Sequence, residues 1–324
     1  MAAFATTSAP SIALRSTSDI SRASRVAVAK PTTLNASFKK ALPAQLTASR
    51  VGQTADRRSL SVRATAAASV GAAPQPLYPR VVPEKLPKLY VYDHCPFCVR
   101  VRVALGIKNV KHEVVFMAND DVATPTALVG KKIAPIIELP DGTVMAESMD
   151  IIDVIDGDAK YGPTGAIAPK SGRKDISGWQ KEVKELLRLL HRPRYMMAAL
   201  PEFQQRDSRD YFVGGHPVPP YDKPEWKSDD FPMEKKVEAY KGAYAQSDEL
   251  IPQINEALKK LDDMIDSPEA CNPEGGVSMD DIDLWARLRS VTIIDGLEMP
   301  IKMRAYMDYF AEVADCPLYF CMKC

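Results

Sequence analysis

Two cysteines, Cys95 and Cys98, flank a proline and a phenylalanine in the sequence CPFC, directly after the apolar run LYVY. The run is rich in aromatic and β-branched residues and predicts a strand over 89–92, while apolar spacing predicts a helix over 99–107. The two cysteines therefore lie where a strand ends and a helix begins. Pro96 suits the first helical position, because the N–H that proline lacks would have no partner there.

The segment around the two cysteines alternates strands and helices and then continues as helices alone. The further predicted elements of the first part are strands over 112–117, 133–139 and 143–145, a short helix within 119–132 and a helix over 148–155. Past a Gly- and Pro-containing stretch, helical apolar spacing covers 173–200, 234–265 and 280–314, whereas the Pro-rich stretch 214–232 predicts a loop. We predict an α/β domain over 88–160 and an all-helical domain over 173–318.

The N-terminal segment differs from the rest in charge. Residues 1–63 carry ten Lys or Arg and two acids, a net charge of +8; the whole chain has 42 of each, which leaves 32 basic and 40 acidic residues, or −8. This basic segment, rich in Ala, Ser and Thr, predicts a transit peptide for the chloroplast stroma, with a mitochondrial leader as the alternative. Residues 64–87 contain Ala and Pro without periodicity and predict a disordered linker.

The composition excludes several classes of protein. The acidic remainder disfavours a nucleic-acid partner, and no apolar run approaches the roughly 20 residues that span a bilayer, so no membrane partner is expected. Six cysteines in 324 residues do not form a secreted disulfide framework. A structural zinc site needs four ligands, usually two cysteine pairs, and the only other close pair is Cys321–Cys324, so no metal is expected.

A redox role explains the cysteine pair better than zinc or two incidental buried cysteines. Free N–H groups at the helix start stabilise a thiolate at Cys95, and Cys98, one turn on, can attack a disulfide formed there. His94, Arg100 and Arg102 add positive charge nearby. A C-x-x-C pair after a strand in a β-α-β setting is typical of a thioredoxin-like redox site.

Two further features fit a thioredoxin-like site. Pro135 lies within an apparent strand, which indicates an edge, a bulge or a cis bond; a cis proline facing the dithiol would leave the backbone of Ala134 open to an extended peptide. Ser148 is a good N-cap residue, and the helix start that it opens can bind an anion, while Glu147 could pair with an ammonium group. Together they suit the α-amino-acid end of a ligand, although a capped surface helix is the usual reading of such a pair.

The stretches KLYVYDHCPFC, NDDVATPTALVGKKIAPIIELPDG and ESMDIIDVID resemble the glutaredoxin-2 type. That family joins a thioredoxin-like glutaredoxin domain to an all-helical glutathione-transferase-like domain, and the resemblance includes a capping box at Ser278–Ile282. It implies that glutathione is the co-substrate, that Cys95 attacks glutathionylated substrates and that Cys98 resolves the intermediate. It also implies a glutathione site. The residues it implies for that site are Ala134 and Pro135 at the tripeptide backbone, Glu147 and Ser148 at the γ-glutamyl end, and Lys131 at the glycine carboxylate.

The leading hypothesis is a glutathione-dependent thiol-disulfide oxidoreductase that acts on glutathione mixed disulfides and on protein disulfides. The alternatives are a glutathione transferase, a dehydroascorbate reductase, and a non-catalytic module that senses redox state or shares an iron–sulfur cluster between protomers. A monomer is expected, with a dimer as the alternative. Four further cysteines are interpreted as small buried residues or idle thiols, with a regulatory disulfide in the tail as the alternative: Cys271, Cys316, Cys321 and Cys324.

Overall fold

The structure, a computed structural model, describes residues 74–274 and 276–324. The predicted transit peptide and residues 64–73 of the predicted linker lie outside these described residues. Within them, an α/β domain with one four-stranded sheet is followed by an all-helical domain, which confirms the predicted fold class.

The α/β domain has a mixed sheet with the strand order β2-β1-β3-β4. Strand β1 is parallel to β2 and antiparallel to β3, and β3 is antiparallel to β4. The elements are β1 Lys88–Val91, α1 Pro96–Ile107, β2 Glu113–Phe116, α2 Ala123–Val129, β3 Ile136–Glu138, β4 Val144–Ala146 and α3 Ser148–Gly157. Every element predicted for this domain is present, with ends shifted by up to three residues.

The third strand is shorter than predicted. The predicted strand over 133–139 contains Pro135, but β3 begins at Ile136, directly after that proline. Proline has no N–H to donate to a neighbouring strand, so pairing starts only beyond it. The Ala134–Pro135 bond is cis, one of the three possibilities that the sequence predicts.

The helical domain has more helices than the apolar spacing predicts. They are α4 Lys174–Glu182, α5 Lys184–Tyr195, α6 Arg206–Gly215, α7 Lys223–Trp226, α8 Met233–Ala245, α9 Ser247–Met264, α10 Met279–Leu288 and α11 Ile301–Val313. The stretch 214–232, predicted as a loop, contains the end of α6 and the single-turn helix α7. The Trp226 side chain fixes this stretch, since it is fully buried and its indole N–H donates to the Val213 carbonyl at 2.7 Å.

The capping box at the start of α10 is present as the sequence predicts. The Ser278 hydroxyl accepts from the Asp281 backbone N–H, and the Asp281 carboxylate accepts from the Ser278 backbone N–H at 2.9 Å. Both residues are buried. This cap fixes the start of the helix that packs directly against α1.

Helix α1 lies between the two domains. It packs against α3 within the α/β domain and against α10 of the helical domain, and nearly all of its residues are buried. This explains why its sequence, PFCVRVRVALGI, lacks a clear polar face. Gly106 permits a close approach near the end of α1, because a Cβ there would overlap the backbone of Ala314.

Part of the predicted disordered linker packs against the α/β domain. Val81 forms an isolated parallel bridge with Val110: its N–H donates to the Asn109 carbonyl at 3.0 Å, and its carbonyl accepts from the Lys111 N–H at 2.8 Å. Tyr78 and Val81 also pack against the core. Two isolated apolar residues in an Ala- and Pro-containing segment leave no periodic pattern, so the sequence gives no sign of this bridge.

A buried ion pair joins the two domains just before the cysteine pair. Asp93 follows β1, and its carboxylate oxygens lie 3.1 and 3.2 Å from Nη2 of Arg289 in the helical domain. The Asp93 carbonyl accepts from Arg289 Nη1 and from the Tyr319 hydroxyl, both at 2.8 Å. Arg102 also donates to the Asp93 carboxylate. The two paired side chains are 7 % and 2 % exposed, so both charges depend on these partners.

Removing this ion pair should strongly destabilise the protein. We expect Asp93→Asn to lower the free energy of unfolding by roughly 3–5 kcal/mol, because it leaves the buried Arg289 guanidinium without a full counter-charge. Asp308→Asn is the matched control: Asp308 pairs with Arg304 on the exposed surface of α11, and its loss should cost less than about 1 kcal/mol. Guanidinium denaturation of both variants measures this difference. Equal losses would contradict the expectation.

Candidate active site

Cys95 and Cys98 open helix α1 as the sequence predicts. Cys95 is the N-cap residue and Pro96 the first helical residue. Cys95 is half-buried, Cys98 is fully buried, and both are free thiols. The backbone N–H of Tyr92, the residue after β1, lies 3.5 Å from the Cys98 sulfur. The Cys95 sulfur is therefore more accessible than the Cys98 sulfur.

The pKa values of the two thiols are shifted in opposite directions. A hydrogen bond from the Cys98 thiol lowers the pKa of Cys95 to about 6, aided by the charge of His94 and by the backbone N–H groups of Cys98 and Phe97. Burial raises the pKa of Cys98 well above its ordinary value, and the hydrogen bond to Cys95 adds to this. Near neutral pH the pair thus consists of a thiolate at Cys95 and a thiol at Cys98.

The predicted positive potential around Cys95 comes from fewer residues than expected. Arg100 pairs with Asp283 of α10, and Arg102 pairs with Asp93. These carboxylates neutralise both arginines, whereas the charge of His94 helps to lower the pKa of Cys95. The sequence could not predict this, since Asp283 lies 183 residues from its partner.

Strand register brings the other predicted site residues to the same edge of the sheet. Tyr90 of β1 is opposite Ile136 of β3, which is in turn opposite Ala146 of β4. Pro135, just before Ile136, and Glu147, just after Ala146, therefore lie at the edge where β1 ends and the chain turns toward Cys95. No hydrogen bond among the described residues uses the backbone of Ala134.

The start of α3 differs from the predicted cap. The N-cap residue is Glu147, which has φ +73° and no side-chain cap hydrogen bond, whereas Ser148 is the first helical residue and is buried. A positive φ is unfavourable for a residue other than glycine. The Lys131 ammonium lies 3.6 Å from the Glu147 carboxylate, with both side chains exposed. The structure thus brings Lys131, Glu147 and Ser148 together.

Glu202 of the helical domain also contacts the site and is not predicted from the sequence. It belongs to the short 3-10 helix Pro201–Phe203, its side chain is fully buried, and its carboxylate accepts from the His94 backbone N–H at 2.8 Å. The same carboxylate oxygen contacts Nδ1 of the His94 ring. A partner 108 residues away leaves no local sequence pattern.

Comparisons with known proteins agree with this architecture. Residues 94–157 match the family model described as glutathione S-transferase, N-terminal domain, and residues 231–322 match that described as glutaredoxin 2, C terminal domain. Glutaredoxin 2 of Escherichia coli K12 is 36% identical over 226 residues, which cover 69% of this chain and 94% of that protein. The chain belongs to the glutaredoxin 2 family. Its first domain is therefore thioredoxin-like and its second is of the glutathione-transferase type.

A solved structure of the family supports the same assignment. Glutaredoxin 2 from Salmonella typhimurium, solved in complex with glutathione, superposes with a TM-score of 0.63 at 32% identity. The match covers 74% of this chain and the whole of that one. Membership of the glutaredoxin 2 family thus rests on both sequence and fold.

A cavity of about 320 Å³ opens beside Cys95 in this glutaredoxin 2 family member. His94 to Phe97 form one side of it, and helices α4, α5 and α10 contribute to the other. Its walls include Trp179, Val183, Leu187 and Leu288, and its charged lining residues are Lys184, Arg188, Arg192 and Arg287. No carboxylate lines it among the described residues, and burial lowers the pKa values of the histidines His191 and His216 to about 3 and about 4.

For the rest of this glutaredoxin 2 family chain, the sequence-based expectations concern a metal site, a membrane span and four further cysteines. The described residues contain no group of three or more His, Cys, Asp or Glu side chains placed to hold a metal, and no helix with the length and hydropathy of a membrane span. Cys271 and Cys316 are buried and Cys324 is half-buried, while Cys321 is exposed. All four are free thiols, and the regulatory disulfide stays a prediction.

The lowered pKa of Cys95 predicts how its reactivity depends on pH. We expect the rate of alkylation by iodoacetamide to rise with pH to a plateau, with a midpoint at about pH 6, because the thiolate is the nucleophile. Mass spectrometry of the labelled peptide follows the reaction. The Cys95→Ser variant should show no such titration, since Cys98 is buried as a thiol. A midpoint near the ordinary thiol value of about 8.5 would contradict the expectation.

Proposed function

We propose that this glutaredoxin 2 family protein is a glutathione-dependent thiol-disulfide oxidoreductase that reduces glutathione mixed disulfides through Cys95. The observation that carries the proposal is the asymmetric pair at the start of α1, with a half-buried Cys95 of lowered pKa hydrogen-bonded to the buried Cys98 thiol. A thiolate that is present near neutral pH and accessible on one side is the chemical requirement for attack on a disulfide.

The proposed reaction has two steps. The Cys95 thiolate attacks the glutathione sulfur of a mixed disulfide, so that the Cys95–glutathione bond forms and the substrate leaves as a thiolate that takes a proton from water. A second glutathione, as its thiolate, then attacks the glutathione sulfur on Cys95. Oxidised glutathione leaves, and the Cys95 thiolate is restored. The net reaction converts the mixed disulfide and one free glutathione into the substrate thiol and oxidised glutathione.

A protein disulfide would follow a different route through Cys98. Cys95 attacks one sulfur of the disulfide and releases the other as a thiolate. Cys98 then attacks Cys95, passes its proton to the departing sulfur, and the Cys95–Cys98 disulfide forms. Because Cys98 is buried, its thiol can react only with a disulfide already formed on Cys95. Two glutathione molecules reduce the pair again.

The edge of the sheet beside Cys95 is the proposed site for glutathione. The unused backbone groups of Ala134 can pair with the tripeptide backbone, as in β-strand addition. At the start of α3, Ser148 and its neighbouring backbone N–H groups suit the γ-glutamyl carboxylate, and Glu147 suits the ammonium group. Lys131, next to Glu147, is a partner for the glycine carboxylate. Support comes from the family structure from Salmonella typhimurium, which holds glutathione.

The cavity beside Cys95, which none of the proposed glutathione-binding residues lines, suits the second half of a mixed disulfide. Arg188 pairs with Glu185 and Arg287 lies 3.5 Å from Asp283, whereas neither Lys184 nor Arg192 has a carboxylate partner among the described residues. The cavity thus combines apolar walls with two cations that lack a counter-charge. This combination favours an apolar group with a negative charge.

Substitution of each cysteine tests the mechanism. We expect Cys95→Ser to abolish the reduction of a glutathione mixed disulfide, measured by coupling to glutathione reductase, because the nucleophile is lost. Cys98→Ser should keep this activity and lose the reduction of protein disulfides, since only that route needs a second thiol. Full activity in Cys95→Ser would refute the proposed mechanism.

The charge of the cavity predicts a substrate preference. Among glutathione mixed disulfides of an aromatic thiol with a carboxylate, neutral or amine substituent, the carboxylate form should have the highest kcat/KM. Lys184→Gln should reduce the preference for the carboxylate by about fivefold, or roughly 1 kcal/mol. Lys181→Gln, on an exposed part of α4 away from the cavity, is the matched control. Equal kcat/KM values for the three substrates would contradict the role of the cavity.

A further inference from the structure

The side chain of His94, next to the candidate nucleophile, is held by the helical domain. Its ring centroid lies 5.0 Å from that of Tyr195, 4.9 Å from Phe203 and 5.1 Å from Phe212. These three rings come from the end of α5, from the short helix Pro201–Phe203 and from α6. An imidazole enclosed in this way has a fixed orientation, and aromatic faces also favour a positive charge on it.

Glu202 has few partners for a buried carboxylate. Its side chain is 0 % exposed, one oxygen accepts both hydrogen bonds from His94, and the other has no partner among the described residues. A buried carboxylate without a counter-charge is strongly unfavourable. Within ion-pair distance in the described part of the chain, the His94 ring is the partner that can supply the charge. The Asn119 backbone N–H anchors the Glu202 carbonyl at 3.0 Å and so fixes the segment.

We propose that Glu202 is a positioning residue: its buried carboxylate holds the His94 ring protonated and fixed beside the sulfur of Cys95. Because Nδ1 donates to Glu202, the second proton of the charged ring lies on Nε2. The positive charge that stabilises the thiolate is thereby maintained by the helical domain. This inference rests on the proposed function, in which Cys95 reacts as a thiolate.

The direction of the effect follows from the position of the two charges. His94 is adjacent to Cys95 in the chain, and its charge helps to lower the pKa of that thiol. Glu202 acts in the opposite sense on the other thiol, since its negative charge helps to raise the pKa of Cys98. The titratable and charged groups around His94 are Tyr92, Cys95, Cys98, His191, Arg192, Tyr195, Glu202 and His216.

The test is the pH titration of the Cys95 thiolate in the reduced full chain, followed by its ultraviolet absorbance. In Glu202→Gln, which keeps the shape but not the charge, the midpoint should rise from about 6 by about one unit. His94→Asn should raise it similarly, and adding Glu202→Gln to His94→Asn should produce no further rise. An unchanged midpoint in Glu202→Gln, or an equal rise in both backgrounds, would overturn the proposal.

A second measurement needs no substitution at Glu202. In the wild-type protein near pH 7, the nitrogen NMR shifts of the His94 ring should show both nitrogens protonated, and a neutral ring would overturn the proposal even if Glu202→Gln fails to fold. Glu202→Asp, which keeps the charge, should raise the titration midpoint of Cys95 by less than Glu202→Gln does. None of these measurements uses glutathione or a disulfide. An inactive protein with the expected titrations would therefore refute the proposed function and leave the role of Glu202 intact.

Discussion

The buried ion pair between Asp93 and Arg289 is the constraint on which the arrangement of the site depends. It lies two residues before Cys95 and ties the end of β1 to the helical domain, with the Tyr319 hydroxyl closing the network. Because both charges are almost fully buried, removing either partner would leave the other buried without its counter-charge. The segment that carries the nucleophile is thus held by both domains at once.

This double attachment places residues of the helical domain around the candidate nucleophile. A thioredoxin-like domain alone supplies the helix start, Pro96 and the sheet edge with Pro135. The helical domain adds Glu202, the aromatic rings around His94 and the cationic wall of the cavity. Although the helical domain begins only at Lys174, it packs against α1. This packing is why nearly every side of α1 is apolar or paired.

The sequence predicts features whose causes are local. Pro96 at the first helical position and the Ser278 capping box each depend on residues within one turn, and both are found as predicted. Glu202 and Arg289 could not be predicted, because their partners lie 108 and 196 residues away. A separation of 183 residues likewise explains the error at Arg100, whose positive charge is neutralised by Asp283 in the fold. Charge near a site can be counted from sequence, but its compensation depends on tertiary contacts.

The unequal burial of the two thiols limits what can react first. Cys98 has no route to an incoming disulfide, because it is fully buried under the start of α1 and its pKa is raised. Every substrate must therefore reach Cys95, which faces the cavity between the CPFC motif and the helical domain. Under the proposed function, a small glutathione mixed disulfide would enter there, whereas a protein disulfide would have to present a protruding sulfur. In the proposed function, the helical domain would thus restrict substrates by size through the walls of the cavity and by charge through Lys184 and Arg192.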